Sequence, residues 1–568
     1  MTSGPDPDAA VPPVPTPPVE TPSHATTPAR ARYAPPLIVP AVAVLVAVVV
    51  LIAVLLTGGS GEVPPATGAA RLVPADALAY VNLSIDGKRP AVKRALALAG
   101  RLPGYPLLTA LIKTRLGGLT AGAAPLDFAT DIQPWLGNEA AIALLNTSSS
   151  TAGSLIVLAV RDRSRAEAFL NQAGASVAGA YRSVELRRYA SGTVLAFLGR
   201  FLVLGQDASV RAAIDVNAGA VPSLAANSTY KRAAAGAPAA RTVDAYASAA
   251  GVRRVLAAQG GIIGAIGALL YQPALSGVTV SLSASATGVR LRVHSALDPQ
   301  LVRLGGPRPV RFEPSLDRVI PSGSLLMLDV TGLDKLAPRV LNAGAAGGVA
   351  GRIGPLLRRL GSALRSEGVN LADVISLFAK DSVVAITPSV AARAGAPAQR
   401  PALTIVARTP DEARTRSELA ALEVPLQQLF PPPRQGAGQA PVFNDRPVGS
   451  LTVHQLVLAP GLEFDYTVAN GLVILSTNLN AAAMVARHGR TLVDDPIFNR
   501  AFPTSPGRVT SLLFLDFSQL LTLGEQTGLE RSRAYRSLRA DLFKIRTVGL
   551  ESTSGETDST AELFLQIP

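Results

Sequence analysis

The chain has 568 residues, 48% of them hydrophobic, which is enough for more than one hydrophobic core. It contains no cysteine, which excludes disulfides, thiolate metal sites, thiol nucleophiles and the lipid-modified cysteine of a bacterial lipoprotein. The formal net charge of +13 comes from dispersed arginines, so the composition does not predict nucleic-acid binding. An Arg- and Ala-rich composition is also typical of a GC-rich genome. If the charge has a binding role, anionic envelope polymers or lipid headgroups are the partners that it favours.

The first 36 residues form a tail with eleven prolines. Such a segment has too little apolar surface to offset the entropy lost on ordering, so residues 1–36 are predicted to be disordered. Its "PPVPTPP" stretch (12–18) is compatible with docking to a proline-binding domain, but a solvated tail is the simpler interpretation.

An uncharged apolar segment, "LIVPAVAVLVAVVVLIAVLL", follows at residues 37–56. As a helix it would be about 30 Å long, which is the thickness of a bilayer's hydrocarbon core, and it is longer than the apolar part of a cleavable signal peptide. Arg30 and Arg32 precede it, and no basic residue follows until Arg71. The positive-inside rule therefore predicts a single-pass anchor with a cytoplasmic N-terminus, a flexible linker at 57–69 and an extracytoplasmic remainder.

The remainder contains the same kind of opening twice. "RLVPADALAYVNL" (71–83) is similar to "RVIPSGSLLMLDV" (318–330). Further similar segments follow in the same order, namely 132–144 with 374–386, 157–170 with 404–419, 201–214 with 472–485, 230–248 with 498–516, and 277–295 with 546–567. Six ordered matches predict an internal duplication, with one repeat at 70–299 and the other at 310–568.

Each repeat is predicted to be an α+β unit. The opening segment is apolar on both faces after Pro74, as in a central strand, and a helix is expected to begin at Pro90. The final strand of the first repeat alternates apolar and polar residues from Val289 to His294. Because hairpin signals outnumber crossovers, we expect mainly antiparallel sheets, or mixed ones if crossovers follow the opening strands, with helices packed on one face.

The "PADALAYVNL" opening after a single anchor, together with the "YKRAAA" segment at 230–235, resembles the bacterial membrane-anchored family catalogued as domain of unknown function 3352. The similarity would cover residues 70–568. The resemblance implies no known activity, cofactor or catalytic residue.

One short motif suggests catalysis. Ser228 and Lys231 in "STYK" have the Ser-x-x-Lys spacing that places a nucleophile and its base one helical turn apart in penicillin-binding enzymes. The companion Ser-Asp-Asn and Lys-Thr-Gly motifs are missing, and the second repeat has "PIFN" at this place. The aromatic residue recurs instead, as Tyr230 and Phe498, which favours a packing role for this segment.

The metal-binding residue types are sparse. No histidine lies at metal-ligand spacing from another histidine or a carboxylate, although a zinc site built from distant residues stays open; the four are His24, His294, His454 and His488. Asp494 and Asp495 are expected to cap the following turn rather than bind calcium. The sequence thus predicts no catalytic, cofactor-binding or metal-ligating residue and no cofactor.

Two glycine-rich stretches remain. "GAAGGVAGRIG" (344–354) lacks the preceding strand that a nucleotide-binding loop needs. "GGIIGAIGALL" (260–270) is too short to span a bilayer and is expected to pack in the core, to line a groove for an apolar ligand or to touch the membrane surface.

The sequence therefore favours a membrane-anchored extracytoplasmic protein of the cell envelope that binds or scaffolds, with protein partners possible, and that does not catalyse a reaction. One alternative is a carrier of lipid or another apolar ligand. A second alternative is a cell-wall-directed serine hydrolase that uses Ser228 and Lys231.

Overall fold

The structure, a computed structural model, describes residues 64–103, 128–146, 153–256, 273–304, 310–332, 376–387, 401–428 and 440–568, without 460, 488, 505, 527 and 532. The predicted tail at 1–36, the anchor at 37–56 and most of the linker at 57–69 lie outside these residues. Within the described ranges, no helix combines the length and apolarity needed to cross a bilayer. The anchor stays a prediction from the sequence.

Twenty strands of the described residues form one sheet, and every pairing between them is antiparallel. The strands of the first half are β1 (Ala79–Ser84), β2 (Leu136–Leu145), β3 (Gly153–Val160), β4 (Ser176–Tyr181), β5 (Val184–Arg188), β6 (Val194–Leu198), β7 (Phe201–Gly205), β8 (Arg241–Ser248), β9 (Leu275–Ala284) and β10 (Gly288–Leu297). Those of the second half are β11 (Leu326–Thr331), β12 (Asp381–Thr387), β13 (Ala402–Arg408), β14 (Phe443–Val448), β15 (Leu451–Ala459), β16 (Leu462–Ala469), β17 (Leu472–Ser476), β18 (Ser511–Asp516), β19 (Thr547–Ser554) and β20 (Asp558–Gln566). The prediction of mainly antiparallel pairing is confirmed.

The two halves have the same strand order. The first reads β4-β5-β6-β7-β3-β2-β1-β8-β9-β10 across the sheet. The second reads β14-β15-β16-β17-β13-β12-β11-β18-β19-β20. The register also corresponds, because Ser84 pairs with Glu139 and Thr331 pairs with Asp381 at matching positions of the two halves.

The similar openings make similar contacts. Pro74 forms an isolated bridge with Ser223, and Pro321 forms one with Thr491. A proline is tolerated there because no ladder hydrogen bond from its nitrogen is needed. Each opening turn is thus attached to the short helical turn that precedes the next helix of its own half.

Helices complete an α+β fold. They are α1 (Pro90–Ala99), α2 (Arg163–Gln172), α3 (Asp207–Asn217), α4 (Ser228–Ala233), α5 (Ala249–Gly251), α6 (Pro299–Leu304), α7 (Glu412–Ala420), α8 (Glu423–Gln428), α9 (Leu479–Ala486), α10 (Pro496–Ala501), α11 (Phe517–Gln526) and α12 (Arg533–Leu542). Shorter helical turns lie at Gly68–Arg71, Phe128–Ile132, Leu224–Ala226, Val252–Leu256, Leu316–Arg318, Leu492–Asp494 and Leu529–Arg531. The predicted helix start at Pro90 is confirmed.

Helices cover both faces of the sheet, so the expectation of helices on one face is wrong. Adjacent residues of β7 show this: Val203 packs in the core with α3, and Leu202 packs in a second core with Leu170 of α2. Both residues are buried. A strand that is apolar on both faces has to be covered on both faces, which the apolar opening strands already indicated.

The halves meet edge to edge. Nine residue pairs join β10 to β20, from Gly288 with Gln566 to Ala296 with Asp558, and the central pair is Arg292 with Glu562. Arg292 Nη1 lies 3.3 Å from Glu562 Oε1, and Arg290 Nη1 lies 3.1 Å from Oε2 of the same carboxylate. The antiparallel join brings together the last strands of two halves that have the same strand order.

Candidate binding cleft

A cleft of about 340 Å³ lies between α2 and strands β5 to β7. We call it the α2 cleft. Its lining includes the apolar side chains of Leu170, Leu195 and Leu202, with charged side chains at the mouth. Its volume is at the lower end of the ~300–1,000 Å³ range of small-ligand pockets.

Helix α2 forms over these strands for local reasons. The Asp162 carboxylate caps the helix by accepting a hydrogen bond from the Arg165 N–H at 3.1 Å. Ala166 and Leu170, four residues apart, bury one helical face in the same core as Leu195. The charged residues of α2 therefore face solvent or the mouth of the cleft.

Two ion pairs line the mouth of the cleft. Arg163 Nε lies 2.8 Å from Glu167 Oε1 along α2, and Arg187 Nε lies 2.7 Å from Glu185 Oε1 on β5. Arg187 Nη1 also donates to Asn171 Oδ1 at 2.9 Å. The mouth thus carries two cations and two anions over leucines that are themselves buried, each 1% exposed, so the cleft offers mainly charged and polar groups to a ligand.

The β4–β5 turn at the mouth has unusual backbone geometry. Arg182 and Ser183 have φ values of 48° and 64°, which residues with side chains rarely adopt. Two such residues in succession match the twist of a tight hairpin. The Arg182 Nε lies 2.5 Å from Asp215 Oδ1 on α3, so the hairpin is tied to the opposite face of the sheet.

The corresponding place in the second half is filled. The N-caps Asp162 and Asp411 align Leu170 with Leu419, and the matched β7 and β17 align Leu202 with Val473. Strand pairing then aligns Leu195 with Tyr466. Additional apolar residues cover this core in the second half, namely Leu422, Leu426, Phe443 and Phe464.

Polar contacts hold α8 on the second half. Tyr466 donates its hydroxyl hydrogen to Glu423 Oε1 at 2.5 Å. His454 Nδ1 lies 3.2 Å from Glu423 Oε1 and 2.9 Å from Asp445 Oδ1, and its ring stacks on Tyr466 at 4.5 Å. Burial and the adjacent Glu423 raise the pKa of Tyr466 above its ordinary value, so the phenol stays a donor.

Strand pairing explains why the sequence did not reveal this histidine cluster. Asp445, His454 and Tyr466 are direct neighbours on three consecutive strands. Along the chain they are further apart than the short spacings by which metal ligands are recognised in a sequence. No group of three or more His, Asp or Glu residues in the described part of the chain could hold a metal ion. The contacts of His454 and Tyr466 with Glu423 hold α8 on the strands.

The Ser-x-x-Lys pair lies on α4, at the surface. Ser228 and Lys231 are both exposed, and no hydrogen bond joins them. The Asn227 side chain caps the helix by accepting from the backbone N–H groups of Thr229 and Tyr230. A nucleophile needs a base within hydrogen-bonding reach, which this arrangement does not provide.

The aromatic residue of that segment packs as expected. The Tyr230 ring meets Tyr80 edge-on at 6.1 Å and Tyr246 at 5.2 Å. Its counterpart Phe498 meets Phe514 at 5.2 Å in the core of the second half. The prediction of a packing role for this position is confirmed.

The other candidate residues have structural roles. His294 Nδ1 lies 2.8 Å from Thr560 Oγ1 across the join of the halves, and burial lowers the pKa of His294. Asp494 and Asp495 cap helical turns, as predicted, and Asp495 also accepts from the Gly323 N–H at 2.8 Å. Four candidates lie outside the described residues: His24, His488 and the glycine-rich stretches 260–270 and 344–354.

Two buried carboxyls escaped the sequence analysis. Asp329 is fully buried on β11, and neither carboxyl oxygen has a hydrogen-bond partner among the described residues. Burial, reinforced by Asp381 and Asp317, raises the pKa of Asp329 to about 8. Burial and nearby Glu463 likewise raise the pKa of Asp465 to about 8. In the alignment of the two opening segments, Asp329 corresponds to a neutral residue, Asn82.

Comparisons with known proteins say little about activity. No curated protein matches the chain. Two solved structures match, crystal forms I and IV of TP0453, each at 9% identity and each over 79% of that protein. They cover 41% and 40% of this chain with TM-scores of 0.25 and 0.23, which are too low to support a conclusion.

The family comparison is decisive for classification. The family described as "Protein of unknown function (DUF3352)" matches residues 38–567. The match includes both similar openings, both strand sets and the α2 cleft. It confirms the resemblance drawn from the opening segments, and the chain belongs to this family.

Proposed function

We propose that this protein is a single-pass, membrane-anchored binding or scaffold protein of the cell envelope, without catalytic activity, and that the α2 cleft is its binding site. The cleft carries the proposal. It places two ion pairs around a cavity of about 340 Å³, in a half of the molecule whose counterpart carries α8 at the same place.

We also propose that the two halves arose by internal duplication. Three observations support this: the common strand order, the matching register of β1–β2 with β11–β12, and the paired bridges of Pro74 and Pro321. A duplicated gene frees one copy to change at a site that the other keeps. An open cleft in one half and a filled one in the other is the kind of difference that this freedom allows.

A fluorescence titration tests the binding site. Trp135 is the only tryptophan of the chain and packs in the same core as Leu170 and Leu195. We expect 1-anilinonaphthalene-8-sulfonate to bind the full chain in detergent with energy transfer from Trp135. Leu195→Tyr, which copies Tyr466, should fill the cleft and weaken this binding at least tenfold.

The control uses a leucine far from the cleft. Leu538→Tyr changes an exposed side chain on α12 and should leave the probe's affinity unchanged. Equal affinity in the wild-type protein and Leu195→Tyr, with both folded by circular dichroism, would refute the α2 cleft as the binding site.

Cysteine labelling tests the location. Because the chain has no cysteine, a single introduced one gives an unambiguous signal. A membrane-impermeant maleimide on intact cells should label Ser164→Cys, which is an exposed position, and should leave Ser3→Cys unlabelled until the cells are lysed. The reverse pattern would refute the proposed orientation.

A further inference from the structure

We infer that the second half binds a hard divalent cation, Ca²⁺ or Mg²⁺, between the carboxylates of Asp465 and Glu463 on β16. The hydroxyl oxygens of Ser476 and Thr404 are the further ligands that the protein supplies. The inference does not depend on the α2 cleft, since it concerns the other half of the molecule and different strands. It starts from a buried carboxyl that the fold leaves without a partner.

That carboxyl belongs to Asp465. The residue is fully buried, and neither carboxyl oxygen has a hydrogen-bond partner among the described residues. Buried polar atoms of native proteins nearly always have a partner, and an isolated buried carboxylate costs much free energy. A carboxyl in this position therefore has to be neutralised, either by a proton or by a cation.

Glu463 lies beside Asp465 and is held in place by two donors. The two residues are two positions apart on β16, so their side chains point to the same face of the sheet. Glu463 Oε1 accepts from the Leu479 N–H at 2.9 Å, and Glu463 Oε2 accepts from the side-chain amide of Gln455 at 3.0 Å. Arg446 Nε donates to Gln455 Oε1 at 3.1 Å and so orients this amide. Because the negative charge of Glu463 acts on Asp465, a cation between the two carboxylates would be bound by both.

Buried hydroxyls continue the row of oxygens across the neighbouring strands. Ser476 on β17 pairs directly with Asp465, and Thr404 on β13 pairs with Ser476. Directly paired residues share a face of the sheet, with Cβ atoms about 5 Å apart. Ser476 Oγ lies 3.2 Å from Thr404 Oγ1, which lies 2.9 Å from Thr387 Oγ1. Carboxylate and hydroxyl oxygens are ligands of Ca²⁺ and Mg²⁺ in proteins, so the row offers the ligand set of a hard cation.

The first half shows that the fold does not need these oxygens. The strand pairings align the two halves, and Glu463, Asp465, Ser476 and Thr404 correspond to Gly192, Val194, Gly205 and Leu155. None of the first-half residues has a side-chain oxygen, and Val194 and Leu155 are buried in the apolar core. The same place can thus be built without polar side chains. Since burying four oxygen-bearing side chains costs free energy, their burial needs a compensating interaction, which a bound cation provides.

The ligand types specify the class of ion. The row contains oxygen ligands and no histidine, which disfavours zinc, nickel and copper. It has two carboxylates, whereas groups of three or more His, Asp or Glu residues that could hold a metal are absent from the described part of the chain. Two carboxylates balance the charge of a divalent ion, with water or backbone oxygens as its remaining ligands. Ca²⁺ and Mg²⁺ share this chemistry, so the experiment has to separate them.

Isothermal titration calorimetry on the full chain in detergent, after removal of metals with a chelator, tests the site. We expect saturable binding of one Ca²⁺ or Mg²⁺ per chain, with a dissociation constant of about 1 mM or lower. Asp465→Asn removes the buried ligand charge and should weaken binding at least tenfold. Asp445→Asn is the matched control, because it makes the same change at an exposed carboxylate of β14 that contacts His454, and it should leave the affinity unchanged.

A second variant and a second measurement complete the test. Ser476→Ala keeps both carboxylates and should weaken binding at least threefold. The bound ion should raise the Tm of the wild-type chain and leave that of Asp465→Asn unchanged. Binding of only one of the two ions would assign the site to that ion.

Two results would refute the inference. One is a wild-type chain that binds neither ion, which would leave a proton as the group that neutralises Asp465. The other is equal affinity of Asp465→Asn and Asp445→Asn, which would place the ion elsewhere. If Asp465→Asn did not fold, equal affinity of Ser476→Ala and Asp445→Asn would refute the inference in the same way.

Discussion

The α2 cleft and its counterpart under α8 have the same walls but different contents. Both have a helix capped by an aspartate, Asp162 or Asp411, over three neighbouring strands. In the first half the chain goes from α2 straight to the edge strand. In the second half it adds α8, and Tyr466 and Phe443 enlarge the apolar surface beneath. The comparison teaches that the strand order sets where a cavity can form, and that a few side chains and one extra turn decide whether it stays open.

The largest expected effect tests a second difference between the halves, neutral Asn82 against Asp329. The pKa of Asp329 is about 8 in the folded protein and near 3.9 when unfolded, so folding keeps the proton. The free energy of unfolding is therefore unaffected by this carboxyl below about pH 4, and it decreases as the pH rises from there to about 8. Asp329→Asn should raise the free energy of unfolding at pH 9 by about 5 kcal/mol, measured by urea denaturation.

The converse variant is the matched control. Asn82→Asp should introduce a similar loss at pH 9 in the first half, because it removes the amide that donates to the Ala66 carbonyl oxygen at 2.8 Å and buries a carboxyl. Stability profiles of Asp329→Asn and the wild-type protein that stay parallel from pH 4 to pH 9 would contradict this account.

Shortening Leu422, which packs on the core of the second half beside α8, should have the next largest effect. Leu422 is buried between α7 and α8, so Leu422→Ala should cost about 3 kcal/mol through lost contacts and a residual cavity. It should also make the second half resemble the first, with a second binding site for 1-anilinonaphthalene-8-sulfonate. If Leu422→Ala bound the same number of 1-anilinonaphthalene-8-sulfonate molecules as the wild-type protein, Leu422 would not cover a preformed cleft.

A helix cap shared by the halves should contribute less. Asp495 caps α10 by accepting from the Ile497 N–H at 2.8 Å, as Asn227 caps α4. Asp495→Ala should cost about 1–2 kcal/mol in thermal or urea unfolding. Asp495→Asn should recover only part of this loss, because an amide has one acceptor oxygen for the Ile497 N–H and its NH2 group cannot accept from the Gly323 N–H. A loss of equal size in both variants would mean that the negative charge matters more than the cap.

The smallest expected effect concerns the join between the halves. Arg292 and Glu562 keep part of their side-chain surface in solvent, at 26% and 32%, so their ion pair is screened. Glu562→Gln should cost no more than about 1 kcal/mol, because backbone pairing carries the contact. A loss of several kcal/mol, or separation of the halves in limited proteolysis, would show that the charges hold the join.

The sequence was most informative where apolar periodicity and turn residues act locally. The opening strands, the helix start at Pro90 and the aspartate caps follow from short-range chemistry, and the structure contains them. The strand predicted at Val289 also forms, but its residues 289–293 are all half-buried and His294 is buried, so the predicted alternation of a buried and an exposed face is wrong. The edge-to-edge join was not predicted, because it pairs residues 272 positions apart, such as Arg290 and Glu562. The α2 cleft was missed for a related reason. Its lining comes from one helix and three strands, and no local sequence pattern marks a cavity lined by segments so far apart along the chain.

The join has a consequence for the order of folding. Strand β10 is synthesised long before β20, its partner at the join. Until then its outer backbone groups face water, and an unpaired edge is a template for wrong partners. Arg290 and Arg292 stand on that edge, and charged side chains are one means by which proteins deter such pairing. On a nascent chain these arginines would therefore disfavour pairing of β10 with other strands. They contact Glu562 only after β20 has been synthesised and has paired with β10.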